Sequence, residues 1–260
     1  MFLDNTESLL LVGGAGNDTY QFDADNALGL ISLDEILGGK DTLDFSLTDT
    51  LGNSINLALA TTQVVNVNLS LILKSGGTFD NVIGGAGNDT ITGNALANVL
   101  RGGDGNDTQD GGAGNDTYVF DADTNLGIET LADPVGVDTI SFAATSANVD
   151  FSLGTTTPQS VNGGLLIVTL ASTTTFDNLT GGDGNDTLTG NAGINILIGG
   201  AGDDTLSGDA GNDIYLFDAD TPLGSDTLTD AVGTETISFS ATSAEIVFSL
   251  ASSAPQCNNG

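Results

Sequence analysis

The stretch GGAGNDTITGNALANVLRGGDGNDTQDGGAGNDTYV at residues 84–119 decides the fold, because one nine-residue unit is repeated four times in register within it. The units start nine residues apart, at Gly84, Gly93, Gly102 and Gly111. A second run of four units starts at Gly181, Gly190, Gly199 and Gly208, and a single unit, GGAGNDTYQ, starts at Gly13. A short fixed period predicts a repeat architecture rather than an ordinary globular domain.

A longer period of about 97 residues encloses the short one, since residues 120–153 closely match residues 217–250. It predicts three modules: a partial module at 1–83 with a lone nonapeptide (13–21) and a β linker, a full module at 84–180 with a β-roll (84–120) and a β linker (121–180), and a partial module at 181–260 with a β-roll (181–217) and a truncated linker (218–260). Neither end resembles a polar capping unit, which predicts a fragment of a longer array whose ends could stack on neighbouring chains.

The charge balance points to cations as partners. With 35 acidic residues against three basic ones, the net charge of -32 excludes a nucleic-acid surface, which needs clustered Lys and Arg. The hydrophobic share of 39% favours a conditional fold over permanent disorder. Cys257 is the only cysteine, so no internal disulfide can form, and no apolar run is long enough for membrane insertion.

Each unit follows the pattern GGxGxDxUx, where U is a large apolar residue, and divides into a six-residue turn and a short strand. The glycines permit a tight turn in which carbonyl oxygens converge, and the aspartate at position six adds a carboxylate there. A site made only of oxygen suits Ca²⁺ rather than Zn²⁺ and, less decisively, Ca²⁺ rather than Mg²⁺. Position eight should point into the core, as at Ile91, Leu188, Leu206 and Tyr215.

These registered units resemble the haemolysin-type, or repeats-in-toxin, calcium-binding family. The resemblance implies an all-β fold, a right-handed parallel β-roll or β-solenoid with two nonapeptides per turn and with calcium turns, linked by wider β-strand segments. It implies several Ca²⁺ ions, each between loops two units apart. The pairs that would face each other are Asp89 with Asp107, Asp186 with Asp204, Asn98 with Asp116, and Asn195 with Asp213.

The resemblance implies a larger ligand set of carboxylate, amide and carbonyl oxygens. Its members are Asp18, Gly85, Gly87, Asp89, Asn98, Gly102, Asp104, Asp107, Gly111, Asp116, Gly182, Gly184, Asp186, Asn195, Gly199, Asp204, Gly208 and Asp213. Two units, GNALAN and GNAGIN, carry Asn at position six, which predicts weaker sites there. Asp18 has no recognisable partner, because residues 4–12 lack the motif.

Each linker opens with the sequence FDAD, whose aspartates are either additional ligands or solvated surface carboxylates. They are Asp23, Asp25, Asp121, Asp123, Asp218 and Asp220. The linkers alternate Thr or Ser with Ile, Val and Phe, which indicates strands. They could form wider turns of the same solenoid or small sandwich-like inserts, and the first arrangement is favoured.

An enzyme is not predicted, because the chain has no His and almost no Lys or Arg to act on a substrate. Stacked carboxylates and a thin core instead predict folding driven by calcium. The resemblance implies type I secretion and an extracellular or cell-surface location. The hypotheses for function are a stalk, adhesin, surface layer or filament, with identical chains joined end to end; a module that binds polysaccharide or ice; or the secretion and folding tail of a toxin or hydrolase.

Overall fold

A computed structural model describes residues 9–35, 38–74, 77–229, 232–240 and 242–243. The described residues form β-strands and one short 3-10 turn, and they contain no α-helix. The chain divides into two compact units, Met1–Tyr118 with Leu126–Gly136 and Val119–Asn125 with Val137–Gly260. The three modules of the sequence period stay a prediction.

The first unit is built from short strands. They are β1 (Leu9–Val12), β2 (Thr19–Gln21), β3 (Gly29–Asp34), β4 (Asp41–Asp44), β5 (Ser54–Asn56), β6 (Gln63–Val64), β7 (Leu69–Leu73), β8 (Phe79–Ile83), β9 (Thr90–Thr92), β10 (Val99–Arg101), β11 (Thr108–Asp110), β12 (Thr117–Val119) and β13 (Gly127–Ala132). The nonapeptide strands have three residues because the turn uses the other six. Within this unit the strands stack in the orders β1-β3-β7-β6, β2-β4-β8-β10-β12 and β5-β9-β11-β13.

The second unit repeats the plan with β14 (Thr139–Ser141), β15 (Asp150–Ser152), β16 (Gln159–Val161), β17 (Leu166–Leu170), β18 (Asn178–Thr180), β19 (Thr187–Asn191), β20 (Ile196–Ile198), β21 (Thr205–Gly211), β22 (Ile214–Leu216), β23 (Thr227–Leu228), β24 (Val232–Gly233) and β25 (Thr236–Ser238). Its strands stack as β14-β18-β20-β22-β25 and β15-β19-β21-β23, with β24 beside β21. The pair β16–β17 is antiparallel around the 3-10 turn Asn162–Gly164.

Linker strands continue the parallel stacks of the nonapeptide strands. In the first unit Thr90 pairs with Thr108, and Thr108 pairs in turn with Thr130 of the linker strand β13. In the second unit the linker strand β15 pairs in parallel with the nonapeptide strand β19. The wider turns therefore belong to the same all-β, parallel β-roll architecture, as the sequence favoured.

The core is a thin column to which each nonapeptide strand contributes one apolar or amide side chain, while longer linker strands contribute up to three, as β7 does with Leu69, Leu71 and Leu73. The position-eight residues Ile91, Leu188, Leu206 and Tyr215 are all buried, which confirms the predicted orientation. The phenylalanine of each FDAD segment extends the column, because Phe22 stacks on Phe45 with ring centroids 5.3 Å apart. Two further such pairs lie in the second unit, Phe120 with Phe142 and Phe217 with Phe239.

Candidate metal sites

Each nonapeptide turn folds its position-six side chain back over its own first glycine. The Gly85 N–H donates to Asp89 Oδ2 at 2.7 Å, and the Gly182 N–H donates to Asp186 Oδ2 at 2.8 Å. A Cβ at position one, on Gly84 or Gly181, would overlap that carboxylate. Glycine is required at position one because the carboxylate occupies the space of a side chain.

A carbonyl oxygen of the following turn converges on the same space. A Cβ built on Gly84 would meet both Asp89 Oδ2 and the Gly102 carbonyl oxygen. The same pair of oxygen types, from Asp186 and Gly199, surrounds the position of a Cβ on Gly181. Both carbonyls, Gly102 and Gly199, belong to the predicted ligand set, and each lies beside the carboxylate of the turn before it.

The position-six side chains of successive turns form a ladder along one edge. In the first unit the Asn53 N–H donates to Asp89 Oδ1 at 2.6 Å, and the Asp89 N–H donates to Asp107 Oδ1 at 2.7 Å. In the second unit the Val149 N–H donates to Asp186 Oδ1 at 2.8 Å, and the Asp186 N–H donates to Asp204 Oδ1 at 2.8 Å. The ladder ends where the Asp204 N–H donates to Asp226 Oδ1 at 3.1 Å. The pairs Asp89/Asp107 and Asp186/Asp204 are thus neighbours, as the resemblance implied.

A second ladder holds the two asparagine positions. The Asn98 N–H donates to Asp116 Oδ1 at 2.7 Å, and the Asn195 N–H donates to Asp213 Oδ1 at 2.8 Å. These predicted pairs are also neighbours. In the same direction, the Asp213 N–H donates to Glu235 Oε2 at 2.8 Å.

The asparagine side chains have an additional contact that an aspartate cannot make. Asn98 Nδ2 donates to the Asp80 carbonyl oxygen at 3.0 Å, and Asn195 Nδ2 donates to the Asp177 carbonyl oxygen at 2.8 Å. Within the same turns, Asn94 and Asn191 donate to the carbonyls of Phe79 and Phe176. On this edge the asparagine N–H groups therefore hydrogen-bond main-chain carbonyl oxygens. An aspartate has no such donor, so those oxygens would be available to bind a cation.

Asp18 has a partner within the chain, which corrects the expectation from sequence. Its N–H donates to Asp41 Oδ1 at 2.9 Å, and Asp18, Glu35 and Asp41 bring carboxylate oxygens within 4.8 Å of one another. The Tyr20 hydroxyl donates to Glu35 Oε1 at the side of this group. The partner follows Asp18 in the sequence and lies outside any nonapeptide, so the motif does not identify it.

Carboxylate oxygens that are buried without a hydrogen-bond donor indicate whether the ladders can bind a cation. Among the described residues, Asp41 Oδ2, Asp107 Oδ2 and Asp204 Oδ2 have no solvent exposure and no hydrogen-bond partner. Burial raises the pKa of Asp107 and of Asp204 to about 7, and the neighbouring carboxylates add to each shift. Carboxylate oxygens that are buried without a donor, on the same ladders as the convergent turn carbonyls, fit a hard cation such as Ca²⁺.

The FDAD aspartates are held by the protein's own N–H groups. In the first aspartate of each pair, Oδ1 accepts the N–H two residues later: Asp23 from Asp25, Asp121 from Asp123, and Asp218 from Asp220. The second aspartate reaches the next wide turn, since Asp123 accepts from the Ser146 and Ala147 N–H groups at 2.8 and 3.0 Å. These hydrogen bonds lower the pKa of Asp123, the Ser146 side chain contributing most. Asp25 and Asp220 make equivalent contacts.

The remaining predicted ligands lie on the turns themselves. The Gly85 and Gly182 carbonyl oxygens accept the N–H of Asp104 and of Ala201, at 3.0 and 2.9 Å. Gly87 and Gly184 are packed closely against the backbone of a neighbouring wide turn, while the Asp104 side chain is exposed. The Gly111 and Gly208 carbonyls face Gly93 and Gly190 of the preceding turns, beside Asn98 and Asn195.

The ladders also contain acidic residues that the nonapeptide motif does not identify. They are Asp41, Asp80, Glu129, Asp177, Asp226 and Glu235. A signal for most of them was present, because Asp41, Glu129, Asp226 and Glu235 are each followed by Thr and then by an apolar residue, as in Asp89-Thr90-Ile91.

Comparison with known proteins agrees with this arrangement. The family model of the RTX calcium-binding nonapeptide repeat (4 copies) matches residues 10–26, 75–107, 83–118, 92–126 and 175–219. A protein named metallopeptidase AprA, from Pseudomonas marginalis, is 38% identical over 96 residues, which cover 33% of this chain. The match spans only 20% of that relative's length. No helix in the described part of the chain is long and apolar enough to cross a membrane.

Proposed function

This chain belongs to the RTX calcium-binding nonapeptide repeat family, and on that premise we propose that it is a structural region of an extracellular protein that folds when Ca²⁺ joins its turns. The observation that carries the proposal is the repeated cradle over position one. There a carboxylate of one turn and a carbonyl of the next turn converge, as Asp89 and Gly102 do, and nitrogen and sulfur ligands do not take part.

Bound Ca²⁺ supplies positive charge and a coordination sphere for six to eight oxygens. The residues that would hold it are Asp89 with Asp107 and Asp186 with Asp204, together with turn carbonyls such as those of Gly102 and Gly199. These residues belong to successive turns, so binding joins one turn to the next. In the folded turn, main-chain N–H groups donate to the same carboxylates and fix their orientation.

Charge explains why folding should depend on the metal. The described structure places acidic residues in rows along each edge, while all three basic residues, Lys40, Lys74 and Arg101, are exposed. The net charge of -32 opposes compaction, and one inward side chain per nonapeptide strand is a small core against the conformational entropy of the chain. Ions that bind only the folded state shift the equilibrium toward it.

The test is a calcium titration of the metal-stripped chain, followed by far-ultraviolet circular dichroism and by size-exclusion chromatography with light scattering. We expect a cooperative gain of β signal with compaction, and we expect magnesium not to reproduce it. A β fold already complete in excess chelator would contradict the proposal. Growth in mass with calcium would support end-to-end assembly into a filament, and a constant monomer would remove that assembly from the proposal.

A catalytic role for this region is not proposed, because its acidic residues recur in equivalent turns rather than forming one distinct site. We propose that it acts mechanically, as part of a stalk, adhesin or surface layer. A second candidate is a folding and secretion tail of a hydrolase, favoured by the similarity to a protein named a metallopeptidase. Calcium-dependent refolding of a hydrolase fused to this region would favour the second role, and calcium-dependent growth in mass of the region alone would favour the first.

A further inference from the structure

One position in the core of the first unit does not follow the repeat. Position eight is a buried apolar or aromatic residue in the neighbouring units, such as Ile91 and Tyr118, but in the unit GGDGNDTQD it is Gln109. The Gln109 side chain has 0% exposure. Burying an amide without partners is unfavourable, so a glutamine at the centre of a thin core requires an explanation.

Gln109 meets a buried carboxylate. Its Nε2 donates to Glu129 Oε2 at 3.0 Å, and Glu129 is 1% exposed. The strand register aligns Thr108 with Thr130, so Asp107 and Glu129 are neighbours on adjacent strands, and Gln109 lies on the same side as Asp107, two residues along. Asp107 is also 1% exposed.

Three oxygens of this group lack a donor. Asp107 Oδ2, Gln109 Oε1 and Glu129 Oε1 are inaccessible to solvent and lack a donor at hydrogen-bonding geometry, although the nearby Asp107 N–H lowers the pKa of Glu129. Two of them belong to carboxylates, and the chain's three basic residues are all exposed. A buried pair of carboxylates with an adjacent amide oxygen therefore requires either protons or a cation from solution.

We propose that Asp107, Gln109 and Glu129 form a calcium site that extends from the edge ladder into the core of the first unit. Two carboxylates balance the charge of a divalent ion, and the Gln109 amide oxygen is a ligand type that Ca²⁺ accepts. The proposal rests on the calcium-binding function proposed above, and it adds an ion that the nonapeptide motif does not encode, because Glu129 lies in the linker.

The second unit supplies an internal comparison. Leu206 occupies the place of Gln109 and is fully buried, and Asp226 occupies the place of Glu129. There the Asp204 N–H donates to Asp226 Oδ1 at 3.1 Å, and the core beside it is hydrocarbon. In the first unit the core residue Gln109 lies beside the longer acid Glu129, and in the second unit the core residue Leu206 lies beside the shorter acid Asp226. The additional methylene of Glu129 brings its carboxylate to the amide, which an aspartate would not reach.

Protonation is the competing explanation for the buried pair. Burial raises the pKa of Glu129 to about 9, with the charge of Asp107 as the next cause, so in the metal-free protein Glu129 is neutral at pH 7. A neutral Glu129 hydrogen-bonded to Gln109 would be a polar pair of the core without any ion. At high calcium concentration the proposed site contains an ion, whereas the protonated pair contains none, and an experiment can distinguish the two.

The experiment counts calcium ions in the full chain by equilibrium dialysis and metal analysis, in parallel with circular dichroism. Glu129→Gln should bind one ion fewer than the wild type while reaching the same β signal, and Gln109→Leu, which introduces the residue of the second unit, should weaken that ion at least tenfold. Asp49→Asn is the matched control, since it removes one negative charge from an exposed side chain outside the ladders. It should leave the count unchanged.

Crystals of the calcium-loaded wild type give a second measurement that needs no variant. An anomalous difference peak among the three oxygens would support the site. Peaks between Asp89 and Asp107 without a peak beside Gln109, or an unchanged count in Glu129→Gln, would overturn it and leave the proposed function intact. No calcium bound anywhere in the chain would overturn the proposed function as well.

Discussion

At the scale of a residue, position six selects between two ways of joining successive turns. An aspartate brings a carboxylate beside a convergent carbonyl, as Asp89 does. An asparagine places an uncharged amide oxygen beside such a carbonyl, and its N–H donates to another main-chain oxygen, as Asn98 and Asn195 do. The sequence predicted weaker metal sites at these two asparagines, and their hydrogen bonds give a physical reason for that prediction, which calcium counting can test.

Asn98→Asp should therefore exchange a hydrogen bond for a metal site. The substitution removes the donor to the Asp80 carbonyl, so the calcium count should rise by one and folding should depend more steeply on calcium concentration. Equilibrium dialysis and a calcium titration followed by circular dichroism measure the two effects. Asn106→Asp is the control, because the equivalent turn of the second unit already has Asp203 there. An unchanged count in Asn98→Asp would show that the amide does not replace an ion.

Position one of the nonapeptide accepts only glycine, because the position-six carboxylate occupies the space of a Cβ. In Gly199→Ala the new Cβ would overlap Asp204 Oδ2, whereas a Cβ on Gly14 would have no atom within 4 Å. We expect Gly199→Ala to lower the free energy of unfolding in calcium by about 1–3 kcal/mol, and Gly14→Ala to change it little. Denaturant titration compares the free energies of unfolding of the two variants. Equal values would contradict the predicted overlap between a Cβ at position one and the position-six carboxylate.

At the scale of an element, the turns that could be predicted were those that keep the nine-residue period. Register fixed the pairs Asp89/Asp107 and Asp186/Asp204, because each turn has the same length. The linker turns have other lengths: Asp41 follows Asp18 by 23 residues, and Asp80 follows Asp41 by 39. A wide turn can take in extra residues at its surface while its strand returns to the same stack, so spacing no longer identifies the acid.

The second aspartate of each FDAD segment can be tested as an element that closes a wide turn. Asp123→Ala removes the acceptor for the Ser146 and Ala147 N–H groups, so we expect a lower denaturation midpoint and an unchanged calcium count. Asp150→Ala, an exposed acid on β15, controls for the lost charge. If the count fell in Asp123→Ala alone, Asp123 would be a ligand, as one of the two sequence hypotheses holds.

At the scale of the whole molecule, the buried carboxylates make stability depend on pH. Burial raises the pKa of Asp107 and Asp204 to about 7 and that of Asp226 to about 6, above the usual value near 4 of an unfolded chain. Between these values the folded state binds more protons than the unfolded state. The metal-free fold is therefore most stable below about pH 4 with respect to these groups, and it loses that stability as pH rises through 7.

We accordingly expect the metal-stripped chain to show more β signal at pH 5 than at pH 8. Calcium added at pH 5, where the metal-free chain is more ordered, should release protons, because the ion displaces them from Asp107 and Asp204. Circular dichroism across pH and calorimetry in buffers of different ionisation enthalpy measure the two effects. The expectation fails if the metal-free chain is as ordered at pH 8 as at pH 5, or if calcium binding releases no protons.

The ladders also make each edge of a unit behave as a line of charge. Adjacent strands of a sheet are about 4.8 Å apart, whereas two unit charges in water interact with thermal energy at about 7 Å. Ionised carboxylates on successive rungs are closer than that distance, so the edge resembles a polyelectrolyte such as nucleic acid, on which small cations condense without specific sites. Each Ca²⁺ that binds must displace part of this layer. Its apparent affinity should therefore decrease steadily as the logarithm of the sodium concentration increases, which makes the salinity of the surroundings part of what decides whether the chain folds.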